Sequence, residues 1–142
     1  MKVESYLMFE GRCDEALEFY RHALGAQVTM LMRYKDNPEP AAGQGCADGS
    51  GPGPTPEMVM HAEFTVGETT LMASDGMGSG KASFQGISLA LSPADEAEAK
   101  RLFNALANGG QVHMPLATTF FSKAFGMVAD RFGVPWMVVA PE

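Results

Sequence analysis

A weak internal repeat constrains the fold of this chain more than any single motif does. Residues 3–9 (VESYLMF) read as a strand, and residues 12–24 (RCDEALEFYRHAL) read as a helix closed by Gly25. Within that helix Cys13, Ala16, Leu17, Tyr20 and Leu24 fall at i, i+3, i+4, i+7 and i+11, the stripe of one buried face. The pattern returns in the second half. Ile87–Leu91 reads as a strand, and residues 93–108 read as a helix closed by Gly109 and Gly110, with Ala99, Leu102, Phe103 and Leu106 on its stripe. Ser92 as N-cap, Pro93 at the first helical position and Asp95 in the first turn predict where that helix begins.

Strand patterns fill the rest. Ala26–Tyr34 alternates, Glu57–Val66 and Thr69–Ser74 form a hairpin about Gly67 and Glu68, and further strands fall at 111–117, 124–130 and 135–140. The order is β-α-β-β-β, twice. It predicts an α+β fold of two βαβββ modules, about 1–75 and 84–142, within one domain spanning 1–142. Residues 35–56 collapse into Gly, Pro and Asp and are expected to form a loop, either a lid over a site or a surface excursion.

Net charge is −7, which argues against nucleic acid or an anionic membrane as the main partner, since both need a basic face. Cys13 and Cys46 do not make a disulfide framework and fit a reducing compartment. No signal-like start and no long apolar run is present, so the protein is expected to be soluble and cytoplasmic. The chain has 11 methionines, several on strands, where they fill a core or line an adaptable pocket.

Few motifs carry chemistry. Gly76–Lys81 (GMGSGK) is set aside as a phosphate loop, because the first glycine position is Asp75, the last position is Ala82 and no helix follows. The glycines at 43–53 do not lead from a strand into a helix, so they cannot serve as a dinucleotide or S-adenosylmethionine turn. His61 and Glu63 are the best polar pair. Two apart on a strand, they share one face while Met60, Ala62 and Phe64 share the other, and on that face they could bind a ligand or move a proton. His22 and His113 read as structural or exposed, and Asp130 as a turn residue satisfying nearby backbone N–H groups.

The duplicated βαβββ order, with A-L-E-F-Y-x-x-x-L-G (Ala16–Gly25) on the first helix, resembles the vicinal-oxygen-chelate superfamily of glyoxalases, bleomycin- and fosfomycin-resistance proteins and extradiol dioxygenases. Y-L-M-F-E-G (Tyr6–Gly11), M-H-A (Met60–Ala62), L-M-A-S-D (Leu71–Asp75) and F-G-M-V-A-D-R-F-G-V-P-W (Phe125–Trp136) resemble its PhnB-like branch, which carries a demethylubiquinone methyltransferase label. The resemblance implies modules whose sheets close into a cup, often across a homodimer. It also implies a divalent metal held by His, Glu or Gln on the first and last strands of each module. Those positions fall here at Ser5, Leu71, Ser88 and Met137, none of them a metal ligand, so no metal and no other cofactor is expected.

The expected function is a metal-less cup that binds a small organic molecule, with Phe120, Phe121, Trp136, Met137 and Ser5 as ligand-binding residues. The alternative is a lyase, isomerase or transferase of the glyoxalase or fosfomycin-resistance type, metal-dependent or acid/base, using His61 and Glu63 as catalytic groups.

Overall fold

A computed structural model of the chain describes residues 1–37 and 55–142; Cys46 and most of the loop predicted at 35–56 lie outside the described residues. The chain divides into two compact units, Met1–Ala82 and Ser83–Glu142.

The first unit runs β1 (Tyr6–Met8), α1 (Cys13–Leu24), β2 (Gln27–Arg33), β3 (Val59–Val66) and β4 (Thr69–Ser74). Its 4-stranded sheet has the order β1-β4-β3-β2. The β1–β4 pair is parallel, because α1 and two strands separate them in the chain, and the hairpin-linked pairs are antiparallel. The α1 stripe buries Cys13, Ala16, Leu17, Tyr20 and Ala23, so Ala23 takes the last place predicted for Leu24. Tyr20 lies parallel to Phe64 of β3, with ring centroids 5.8 Å apart, and Phe9 lies 6.1 Å away. All three rings are essentially inaccessible. Burying each stabilises the unit by about 1.5–3 kcal/mol, the usual value for a large apolar side chain.

Helix α1 has no side-chain cap from its own N-cap residue, Arg12. Asp75, arriving from the end of β4, supplies it. Its Oδ1 accepts from Cys13 N at 2.8 Å and its Oδ2 from Val59 N at 2.7 Å, so one carboxylate joins the start of α1 to the start of β3. Arg33 closes the same region from β2, donating to both carboxylate oxygens of Asp14 at 2.8 and 2.9 Å. Gly25 ends the helix at φ 68°, in the left-handed region where a side chain would be strained.

The second unit repeats the order: β5 (Leu89–Leu91), α2 (Glu96–Ala107), β6 (Gln111–Ala117), β7 (Phe125–Ala129) and β8 (Pro135–Val139). Its sheet, β5-β8-β7-β6, has the same connectivity, with β5 and β8 parallel. Among the described residues two helices and two 4-stranded mixed sheets make the α+β fold of two βαβββ modules read from the sequence. The start of α2 differs from expectation. Asp95, not Ser92, is the N-cap, accepting from Glu98 N at 2.8 Å, while the Glu98 carboxylate reaches back to Ala94 N at 3.1 Å. The Asp-x-x-Glu box satisfies free N–H groups from both directions and so prevails over Ser92-Pro93.

The D-R-F-G-V-P-W stretch builds the β7–β8 turn. Asp130 Oδ1 accepts from Phe132 N and Val134 N at 2.9 and 3.1 Å, and Oδ2 accepts from the Trp136 indole N–H at 2.9 Å. Trp136 was expected as a wall of a ligand site. Instead it is a core residue, 3% exposed, on the face of β8 that it shares with buried Val138. Arg131 donates from Nε and its second guanidinium nitrogen to Asn108 O at 3.2 and 3.1 Å, satisfying a carbonyl at the end of α2.

Candidate functional site

The polar chemistry of the first unit lies on the sheet face turned away from α1. Phe64 and Ala62 are fully buried on the helix side of β3, so the period-2 alternation of the strand sends His61 and Glu63 to the other side. Register carries that face across the sheet. Met72 of β4 pairs with both Tyr6 and Glu63, Met30 of β2 pairs with Glu63, and Met32 pairs with His61. Tyr6, His61 and Glu63 therefore sit among Met8, Met30, Met32 and Met72.

Three of these side chains form one hydrogen-bonded chain. Tyr6 Oη lies 3.1 Å from His61 Nδ1, and His61 Nε2 lies 3.2 Å from Glu63 Oε2. An ionised carboxylate only accepts, so with a neutral imidazole Nε2 carries the proton and donates to Glu63. Nδ1 is then left to accept from the Tyr6 hydroxyl. The middle member is the most covered: the Tyr6 residue is 40% exposed, and the His61 and Glu63 side chains 25% and 37%. Its order, carboxylate to imidazole to hydroxyl, is the one in which a base is oriented from behind and polarises a hydroxyl in front. Sequence reasoning found His61 and Glu63 but missed Tyr6. The available signal was the strand parity of β1, where buried Leu7 and Phe9 put Tyr6 and Met8 on the opposite face.

The other expected site residues are placed differently. Ser5 is half-buried just before β1, its carbonyl accepting from Met72 N at 2.9 Å, and by parity it sides with Leu7 rather than Tyr6. Met137 lies on the face of β8 turned away from α2, opposite Ala90 and Met127. Phe121 packs edge-on against Phe125 at 5.1 Å, and Phe120, 96% exposed, against Phe121 at 5.1 Å. Ser5 shares the first unit with the Tyr6–His61–Glu63 chain, whereas Met137, Phe120 and Phe121 belong to the second.

The sheets also correct the repeat register. Met72 is flanked by Tyr6 and Glu63, and Met137 in the same way by Ala90 and Met127. The equivalent positions are thus Tyr6 with Ala90 and Met72 with Met137. Ser5 corresponds to Leu89, not Ser88, and Leu71, 5% exposed, faces the helix. A one-residue slip changes the face. In the corrected register the four positions implied for a metal carry Tyr6, Met72, Ala90 and Met137, a set lacking the imidazole and carboxylate donors a divalent ion requires. The residues do not fit a metal at those positions. Among the described residues no group of three or more His, Cys, Asp or Glu side chains is placed to hold one.

The rejected phosphate-loop string has a structural role. Glu10, at φ 51°, lays its carboxylate into the loop after β4, accepting from Met77 N at 3.0 Å, Ser79 N at 3.3 Å and Ser79 Oγ at 2.6 Å. The backbone nest is filled by the protein's own anion. Burial raises the Glu10 carboxyl, but the hydrogen bonds from Ser79 and Met77 outweigh it and hold the group below its ordinary value. No helix follows this loop, so it fits no S-adenosylmethionine turn either. Cys13 is buried, and burial first, then the charges of Asp75 and Asp14, push its thiol far above the usual range, leaving it unreactive. His22 pairs with Glu18 at 2.9 Å on the exposed side of α1. A shallow depression beside the start of α2, lined by Asp95, Glu96, Lys100, Lys123 and Glu142 among others, contains no histidine, thiol or aromatic group and carries no comparable chemistry. Among the described residues no helix is long and apolar enough to cross a membrane.

The two-module βαβββ fold is the glyoxalase-type fold of the vicinal-oxygen-chelate superfamily. Residues 1–139 match the family described as 3-demethylubiquinone-9 3-methyltransferase, and the chain belongs to that family, in its PhnB-like branch. It is 36% identical over 140 residues to Protein YjdN of Escherichia coli strain K12, covering 97% of this chain and 94% of that one. Among solved structures it is similar to protein PA1353 from Pseudomonas aeruginosa (38% identity, TM-score 0.81, 99% and 98% of the two chains). A PhnB protein from Bacillus cereus is also similar (30% identity, TM-score 0.76, 99% of each chain). The fosfomycin resistance protein FosX from Listeria monocytogenes shares the fold alone, at 8% identity and TM-score 0.64 over 100% of this chain and 93% of that one.

Proposed function

We propose that this protein binds a small organic molecule on the open face of its first unit, without a metal. The observation that carries the reading is the His61–Glu63 bond, 3.2 Å long, on a sheet face lined by Met8, Met30 and Met72. The bond fixes the imidazole and, through Nδ1, the Tyr6 hydroxyl as a polar anchor, and the methionines give a ligand's apolar part a surface that adapts in shape. Met137, Phe120 and Phe121 offer the second unit its own apolar surface for contacts by burial and stacking. The family description names a methyltransferase, but no loop in the described residues fits the methyl donor, and we assign no such activity.

A second reading, acid/base catalysis through His61 and Glu63, is favoured by the same bond, because it orients an imidazole as a proton carrier. One variant separates the two. The protein purified without added ligand is denatured and its co-purifying small molecules are identified by mass spectrometry; binding and turnover of those molecules are then compared for wild type and His61→Gln. A binder loses about fivefold in affinity, one neutral hydrogen bond, and shows no reaction. An enzyme loses turnover on the order of a hundredfold or more. Unfolding of His61→Gln would make His61 a structural residue and defeat both.

We further propose a cytoplasmic homodimer. Among the described residues each sheet ends in an edge strand without a further partner, β1 and β2 or β5 and β6, and the described elements include two helices to cover such edges. Sedimentation at micromolar concentration should give twice the chain mass of 15.1 kDa; a monomer there removes the proposal.

A further inference from the structure

We infer that Tyr6, rather than His61, is the group that meets the ligand, and that the ligand is a weakly acidic hydroxyl, phenolic or enolic, on an apolar body. The inference rests on the binding reading above and specifies its chemistry. Both ring nitrogens of His61 are occupied, Nε2 by Glu63 and Nδ1 by Tyr6, so the imidazole offers a ligand no free polar atom. Tyr6 is the outer member on the hydroxyl side of the chain, the residue 40% exposed. Its proton is committed to Nδ1, and among the described residues it meets no other hydrogen-bonding group, which leaves its lone pairs open to a donor. A ligand hydroxyl satisfies them; a carbonyl, which only accepts, does not.

The proton balance then closes within the chain. The ligand O–H bond breaks as its proton passes to Tyr6 Oη, and the Tyr6 O–H bond breaks as that proton passes to His61 Nδ1. The products are a ligand oxyanion held by the Tyr6 hydroxyl and an imidazolium held by the Glu63 carboxylate. Met30, Met72 and Met8 flank Tyr6 and Glu63 on the same face, presenting soft apolar surface to the rest of the molecule.

The test uses the full chain and two probes differing in one proton, 4-nitrophenol and its methyl ether 4-nitroanisole. At a pH where free 4-nitrophenol is the colourless phenol, wild type should bind it with the absorbance of the phenolate, and Tyr6→Phe should abolish that band. Affinity for 4-nitrophenol should fall roughly tenfold in Tyr6→Phe, as for loss of a hydrogen bond to a charged group. That for 4-nitroanisole should change less than about twofold, since the ring contacts remain. If Tyr6→Phe does not fold by circular dichroism, His61→Gln must abolish the band instead. Equal binding of 4-nitrophenol by wild type and folded variant, with no phenolate band, overturns the assignment to Tyr6 and leaves the binding reading standing. Failure of wild type to bind either probe overturns the binding reading itself.

Discussion

Asp75 joins the start of α1 to the start of β3, the strand that carries His61 and Glu63, and replacing it with Asn should cost far more than its single lost charge suggests. The residue is 4% exposed, and its two oxygens accept from Cys13 N at 2.8 Å and Val59 N at 2.7 Å. An amide keeps one acceptor but turns an NH2 group against the second backbone donor. Losing a buried hydrogen bond to a charged acceptor costs about 1.5–3 kcal/mol. Removing the negative charge from the first turn of α1 adds about 0.3–1 kcal/mol. The total is roughly 2–4 kcal/mol. With a urea slope of about 2 kcal/mol/M, the middle of the usual range, the unfolding midpoint should drop by about 1–2 M at unchanged slope. Asp14→Asn is the control, because Asp14 also lies in the first turn and pairs with Arg33, but its side chain is 58% exposed. A surface pair is worth about 0–1 kcal/mol, so its midpoint should move less. Equal shifts for the two variants would show that Asp75 is not the clasp.

Three further outcomes are expected. The depressed Glu10 carboxyl stabilises the fold above the ordinary carboxyl value of about 4.3, and this contribution is lost as pH falls through the lower folded value. The urea midpoint of wild type should therefore fall more steeply than that of Glu10→Gln between about pH 6 and pH 3, and parallel curves would contradict this. Gly126→Ala should destabilise by about 1–3 kcal/mol, because a Cβ there would lie 2.8 Å from Phe103 Cε2 and 3.0 Å from the Met114 carbonyl; an unchanged thermal midpoint would refute the close packing. Trp136, the 1 tryptophan of the chain, should emit as a buried indole and resist acrylamide quenching, whereas free quenching would place it on a surface.

Much of this fold was legible because period and punctuation agreed. Thr69–Ser74 and Gln111–Ala117 begin and end where the pattern says, and Gly25 stops α1 where glycine at positive φ must. The errors came where two local signals competed or where parity had to be known to one residue. At α2 a Ser-Pro start lost to an Asp-x-x-Glu box three residues on. At Trp136 a large aromatic in a motif looked like a ligand wall, and only its bond to Asp130 reveals a core role. Ser5 and Leu71 failed by a single residue of register. Tyr6 was missed for the same reason, since its partner His61 lies 55 residues away and only the parallel β1–β4 pair brings them to one face.

The two units share a topology but not a chemistry, and that difference supports placing the proposed site on the first unit. Along equivalent rows, Tyr6, Met72, Glu63 and Met30 of the first sheet answer to Ala90, Met137, Met127 and Met114 of the second. Methionine recurs at the positions equivalent to Met72 and Met30, while phenol and carboxylate are replaced by methyl and thioether. Both faces can seat an apolar body. Neither sheet's stability asks for a polar chain at Tyr6 and Glu63, because the second sheet is built without one. A hydrogen-bonded Tyr–His–Glu series on a half-exposed strand face adds little to folding, since water satisfies the same groups nearly as well. Its presence in one copy of a duplicated frame is what the proposed ligand, with a proton to exchange, would account for.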